Sequence, residues 1–82
     1  MNVLIVDDEV DLCKLLSLQL KSLGLDSEYV NSISEAKEKY RPVKVDLIFL
    51  DLNLKDGSGF EMLNYLKQFK YTPRVIVISA YD

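Results

Sequence analysis

The sequence predicts an α/β fold built on a parallel sheet, and three observations predict it. Three short apolar runs, VLIV at 3–6, LIFL at 47–50 and VIVI at 75–78, are continuous rather than alternating. They carry β-branched or aromatic residues, which is how strands buried on both faces read. The segments between them carry helical periodicity instead. Strands alternating with helices, in the order β-α-β-α-β-α-β, imply a parallel sheet with right-handed crossovers.

Each element can be justified in turn. Residues 10–23 place Val10, Cys13, Leu16 and Leu20 on one helical stripe, widened by Leu12, Leu15 and Leu23. Asp8, Glu9 and Asp11 lie in or before the first turn, and Gly24 follows the last turn as a C-cap. A weaker strand, SEYV, is expected at 27–30. The second helix begins after Ser32 or Ser34; Ser32 and Glu35 have capping-box spacing, and Pro42 ends it. The third helix opens with Ser58 and Glu61 in the same spacing. It presents Phe60, Leu63, Leu66 and Phe69 or its neighbours on one face, with Pro73 beyond it.

The bulk properties narrow the function classes. An 82-residue chain is one domain at most. Its 49% hydrophobic and 28% charged residues argue against disorder. A net charge of -3 gives no general pull toward nucleic acid, so no direct nucleic-acid partner is expected. No apolar run approaches the ~18 residues of a membrane span, and the amino terminus does not read as a signal peptide. The single Cys13 excludes an intramolecular disulfide, fits a reducing compartment and reads as an apolar filler. The absence of His removes the commonest general base and transition-metal ligand.

Ligands of parallel α/β sheets bind outside the carboxyl ends of the strands. The first strand ends in Asp7, Asp8 and Glu9; the third ends in Asp51, with Asn53 two residues on; the fourth ends in Ser79. Three strands thus deliver carboxylates, an amide and a hydroxyl to one sheet edge. Like charges this close raise one another's pKa values. A hard divalent cation relieves the repulsion, and Mg²⁺ is typically held by one or two carboxylates beside a phosphate. A carboxylate beside Mg²⁺ can act as a nucleophile on phosphorus.

LIVDDE, LIFLDLNLKDGSG and VIVISAYD, in that order and spacing, resemble the acidic-pair strand, the phosphoacceptor strand with its loop, and the fourth strand of bacterial response-regulator receiver domains. The resemblance implies a three-layer, flavodoxin-like, doubly wound parallel sheet of order 2-1-3-4-5. It implies Asp51 as phosphoacceptor and Ser79 as the switch hydroxyl. It implies Asp7, Asp8, Asp51 and the Asn53 backbone carbonyl as ligands of Mg²⁺ or Mn²⁺. Ala80 would line the phosphate site, and Asp56 and Gly57 match the loop, where Gly permits a tight turn. Glu9 would hold metal-bound water or only favour the helix N-terminus. The implied role is a self-phosphorylating acceptor, not a turnover enzyme, loaded by a histidine kinase or phosphotransfer protein in a bacterial cytoplasm.

Two departures qualify the resemblance. Lys55 stands where the family commonly has Pro and is expected to be solvated. The sequence also stops at Asp82, where the family continues with a helix, a strand bearing a phosphate-pairing Lys, and a further helix. Residues 1–82 therefore read as the N-terminal part of a receiver domain, an incomplete sheet lacking its last helix-strand-helix. An unpaired strand edge recruits other strands, so a homo-oligomer through the uncovered surfaces is expected. Two other readings stand beside the signalling module. One is a phosphorylation-silent receiver acting only as an interaction scaffold. The other is a haloacid-dehalogenase-like phosphatase, which would need a second acid where Asn53 stands.

Overall fold

The computed structural model describes residues 1–42 and 44–78. Four parallel strands form the main sheet: β1 (Asn2–Val6), β2 (Asp26–Val30), β3 (Leu47–Asp51) and β6 (Arg74–Ile78), in the order β2-β1-β3-β6. Val3 pairs with Ser27 on one side and Leu47 on the other, and Asp51 pairs with Ile78. Two features were not expected: β4 (Asn53–Leu54) and β5 (Gly57–Ser58), which form a small antiparallel ladder directly after β3. The fold is the three-layer α/β arrangement the sequence predicts.

The period of two along a strand sends alternate residues to opposite faces. Leu4, Val6, Ile48 and Leu50 enter one core with Ile33, Ala36 and Tyr40 of the second helical unit and Met62 and Leu66 of the third. Val3 and Ile5 enter the other with Cys13 and Leu20. The helices are α1 (Val10–Ser22), α2 (Ile33–Lys39) and α3 (Gly59–Leu66), so α1 covers one face and α2 and α3 cover the other. Among the described residues, no helix is long and apolar enough to cross a membrane.

Several local expectations need correction. The α1 stripe is narrower than expected, because Val10, Leu15 and Leu23 are exposed and only Cys13 and Leu20 are fully buried. Phe60 is 59% exposed, since Met62 and Leu66 occupy the inward face of α3. Phe69 lies beyond the helix end and packs edge-on against Tyr40 and Tyr65. The Ser58 hydroxyl accepts from Phe60 N at 3.2 Å rather than closing a box with Glu61. Ser32 does cap Glu35 N at 3.1 Å, but the Glu35 carboxylate accepts from Asn31 N at 3.2 Å. VIVI is not buried on both faces. Ile76 and Val77 are each 46% exposed, because β6 is hydrogen-bonded on one side only among the described residues.

Two junctions fix the frame. Gly24 (φ +82°) follows α1; its N–H donates to Lys21 O at 2.9 Å while Leu25 N donates to Leu20 O at 3.0 Å. This doubly bonded left-handed C-cap satisfies the last carbonyls of the helix. At the amino ends of the strands, Asp46 links three of them, β1, β3 and β6. It donates to Asn2 O at 2.9 Å, accepts from Asn2 N on Oδ2 at 2.8 Å, and accepts from Arg74 N on its backbone oxygen at 3.2 Å.

Candidate functional site

The carboxyl ends of β1 and β3 deliver the acids together. Asp7 and Asp8 follow β1, Asp51 ends β3, and one carboxylate oxygen of each lies within 4.8 Å of the other two. Asp7 is 4% exposed; Asp8 and Asp51 are half-buried. The Asp7 carboxylate accepts from Glu9 N at 2.9 Å. Burial pushes the Asp7 carboxyl above its ordinary range, the Glu9 N–H pulls it partly back, and the charges of Asp51, Asp8 and Glu9 push it up again.

The backbone of Asp7 is held as firmly as its side chain. Its N–H donates to Val30 O at 3.1 Å, and its carbonyl accepts from Asn31 Nδ2 at 2.8 Å and from Cys13 Sγ at 3.4 Å. On β3, Asp51 Oδ1 accepts from Asn53 N at 3.0 Å.

The loop after Asp51 is anchored at several points. Leu54 enters the core, and Lys55 is exposed at the loop tip, as expected. Asp56 does not join the acid cluster. Its two carboxylate oxygens accept from Ile33 N at 3.0 Å and Ser34 N at 3.2 Å, at the start of α2. These N–H groups hold the Asp56 carboxyl below its ordinary range. Gly57 (φ +150°) lies against Ile33 and Glu61. Gly59 N donates to Leu52 O at 2.9 Å, and a Cβ on Gly59 would collide with the Asp51 carbonyl oxygen and come to 2.9 Å from Leu52 Cα.

The structure therefore brings Asp7, Asp8 and Asp51 together with Asn53 adjacent, and places Asp56 and Gly57 against α2. Glu9 is the exposed N-cap residue of α1. Ser79 and Ala80 lie outside the described residues. Sequence reasoning missed Asn31 and Gly59. Asn31 stands at the carboxyl end of β2 and obeys the same rule that singled out Asp7 and Asp51. Gly59 sits inside a helical first turn, where glycine is unfavourable unless another backbone must pass close by.

The clustered groups are carboxylate oxygens alone, and the nearby Cys13 thiol is buried and directed at a carbonyl. Such a set suits a hard, oxygen-seeking ion such as Mg²⁺ or Mn²⁺ and not one selected by thiolate or imidazole.

Comparison with known proteins gives a consistent result. The family model for the response regulator receiver domain matches residues 3–82. The sensory transduction protein LytT of Bacillus anthracis is 36% identical over 85 residues, covering 100% of this chain and 34% of LytT. The chain thus spans about a third of the length of that curated relative. The non-phosphorylated HemR receiver domain of Leptospira biflexa superposes with a TM-score of 0.90 at 32% identity, over 96% of this chain and 64% of that one. A chain in the crystal structure of histidine kinase ThkA in complex with response regulator protein TrrA superposes with a TM-score of 0.87 at 28% identity, over 99% of this chain and 70% of that one.

Proposed function

The chain belongs to the response regulator receiver domain family, the phosphoacceptor modules of two-component systems, and from that premise we propose that Asp51 is its phosphoacceptor. The observation that carries the assignment is the position of Asp51 at the end of a buried strand, with its carboxylate among those of Asp7 and Asp8. The phosphodonor is a phosphohistidine on a kinase or phosphotransfer protein; the likeness to a chain of the kinase–regulator complex supports this partner class.

Asp7, Asp8, Asp51 and the Asn53 carbonyl would hold Mg²⁺ or Mn²⁺. The bound ion supplies the positive charge that offsets three carboxylates and the incoming phosphoryl oxygens. Asn53 N–H holds Asp51 Oδ1, which orients the carboxylate and leaves Oδ2 free for attack on phosphorus. The new P–O bond forms as the P–N bond to the histidine breaks, and the departing imidazole takes a proton from solvent. β3 lies between β1 and β6 in the sheet, which keeps the nucleophile positioned with little reorganisation. Ser79 as switch hydroxyl and Ala80 as phosphate-site lining complete the assignment. The role is that of an acceptor that catalyses its own phosphorylation, without turnover.

Incubation with Mg²⁺ and acetyl phosphate tests the reading by intact mass, with Asp51→Asn as control. A Mg²⁺-dependent gain of one phosphoryl group, lost in the control, is expected. No gain in a folded sample refutes it.

Self-association through β6 is a second element of the proposal. The exposed Ile76 and Val77, and the pairing of β6 on one side only among the described residues, favour a second copy along that edge. A monodisperse monomer by light scattering at micromolar concentration excludes it.

A further inference from the structure

We propose that the first turn of α2 is a brace that sets the separation of Asp7 and Asp51, with Asn31 and Asp56 as positioning residues for the cation centre. The inference rests on the reading of that centre given above. It comes from a closed path of contacts. Asn31 Nδ2 holds the Asp7 carbonyl at 2.8 Å. Two and three residues further on, Ile33 N and Ser34 N hold the two oxygens of Asp56. Asp56 lies beside Lys55 at the tip of the loop that begins at Asp51; the base of that loop is tied to Asp51 Oδ1 by Asn53 N and closed by the pairing of Asn53 with Ser58. Asp7 and Asp51 face one another at the open side of the ring.

The ties are long-range, spanning 24 residues for Asn31–Asp7 and 23 for Ile33–Asp56. They also complete the capping of α2. Its first four N–H groups go to Asp56 Oδ1, Asp56 Oδ2, Ser32 Oγ and Ser32 O. The loop from Asp51 therefore satisfies two of the three N–H groups that have no helical carbonyl, those of Ile33, Ser34 and Glu35, and a carboxylate is the favoured occupant of a helix N-terminus.

The brace has a physical task. Three carboxylates repel, and the half-buried pair Asp8 and Asp51 would relax away from Asp7 if their supports gave way. Mg²⁺ demands near-ideal geometry at ~2.0–2.1 Å, so a small relaxation before binding lowers affinity. Holding both ends of the cluster from behind, through one short rigid turn, removes that cost in advance.

The test is Mg²⁺ titration by calorimetry on the chain and six variants, with urea unfolding of each. Asp56→Ala and Asn31→Ala should each weaken Mg²⁺ binding roughly threefold to tenfold, below the ~10–100-fold typical of groups bonded directly to a ligand. Asp56→Asn keeps one acceptor oxygen and should fall between. The two alanine changes break the same ring, so the double variant should bind within about twofold of the weaker single. Asp46→Ala, at the opposite end of the sheet, should lose stability without losing Mg²⁺ affinity. Losses that multiply in the double variant, singles within about twofold of wild type, or an equal loss in Asp46→Ala would overturn the brace. Wild type that binds Mg²⁺ and loses it in Asp8→Ala, with Asp56→Ala unchanged, overturns this inference alone. Wild type that fails to bind overturns the cation centre and the brace together.

Discussion

Replacing Gly59 by Ala adds a single methyl group where two backbone segments already touch. The new Cβ would collide with the Asp51 carbonyl oxygen and stand 2.9 Å from Leu52 Cα. Carbon atoms attract at about 3.5–4.0 Å, so that contact alone must open by roughly 0.6 Å. Both neighbours are backbone, so neither can rotate aside. Either α3 lifts, carrying the buried Met62 and Leu66 with it, or the end of β3 moves and takes Asp51 along. Overpacking of this kind costs about 1–3 kcal/mol. The better helix propensity of Ala returns at most about 1 kcal/mol, leaving a net loss of up to about 2 kcal/mol. With a urea m-value near 1 kcal/mol/M for so small a chain, the unfolding midpoint should fall by up to about 2 M. Gly24→Ala is the matched comparison. A Cβ there meets nothing within 4 Å, yet the left-handed backbone costs an L-residue about 1–2 kcal/mol. Both variants should lose similar stability, and only Gly59→Ala should also slow phosphorylation by acetyl phosphate. A Gly59→Ala protein more stable than wild type, or one that is phosphorylated at the wild-type rate, would refute the close-approach argument.

Other outcomes follow from the same geometry. Asp7→Asn should stabilise the metal-free protein at neutral pH. The folded carboxyl titrates above its unfolded value near ~3.9, so wild-type stability falls as pH climbs through that window. The advantage of Asn should vanish below about pH 4 and reverse at pH 7 in excess Mg²⁺; urea midpoints across pH, with and without Mg²⁺, check both signs. Cys13 is fully buried and its thiol is pushed up to about 11, so only about one thiol in 10⁴ is ionised at pH 7. Its labelling by an aromatic disulfide should therefore track unfolding and slow when Mg²⁺ is added; a rapid, Mg²⁺-independent reaction would contradict this. Met62 is fully buried on the inward face of α3; Met62→Ala should cost about 2–5 kcal/mol and Met62→Leu under about 1.5 in urea unfolding.

The main sheet and the acid cluster were legible because their signals are local. Continuous apolar runs marked β1, β3 and β6, and the strand-end rule then gathered Asp7, Asp8 and Asp51. The α1 face was not legible. Apolar residues at positions 10, 12, 13, 15, 16, 18, 20 and 23 surround the helix, and only packing decides that Cys13 and Leu20 face inward while Leu15 and Leu18 face out. The β4–β5 ladder pairs two residues with two, too few to show a period. The partners of Asp56 lie 22 and 23 residues away, a distance over which spacing carries no information without the fold. Phe60 misled because its helical spacing matched Leu63, while Gly59, Met62 and Leu66 form the inward face of α3 and leave Phe60 to one side of it.

The knot at Asp46 gives the two ends of the sheet opposite characters. At one end, three strands are stitched by hydrogen bonds through a single residue. At the other, three like charges are pressed together. Without a divalent cation the sheet should therefore fray from one side, like cloth with a single hem. Amides near Val6 and Leu50 would exchange with solvent before those near Val3 and Leu47. Cation binding would close the loose end and even out the protection, so an ion held at the sheet edge would be read as order along the whole length of β1 and β3.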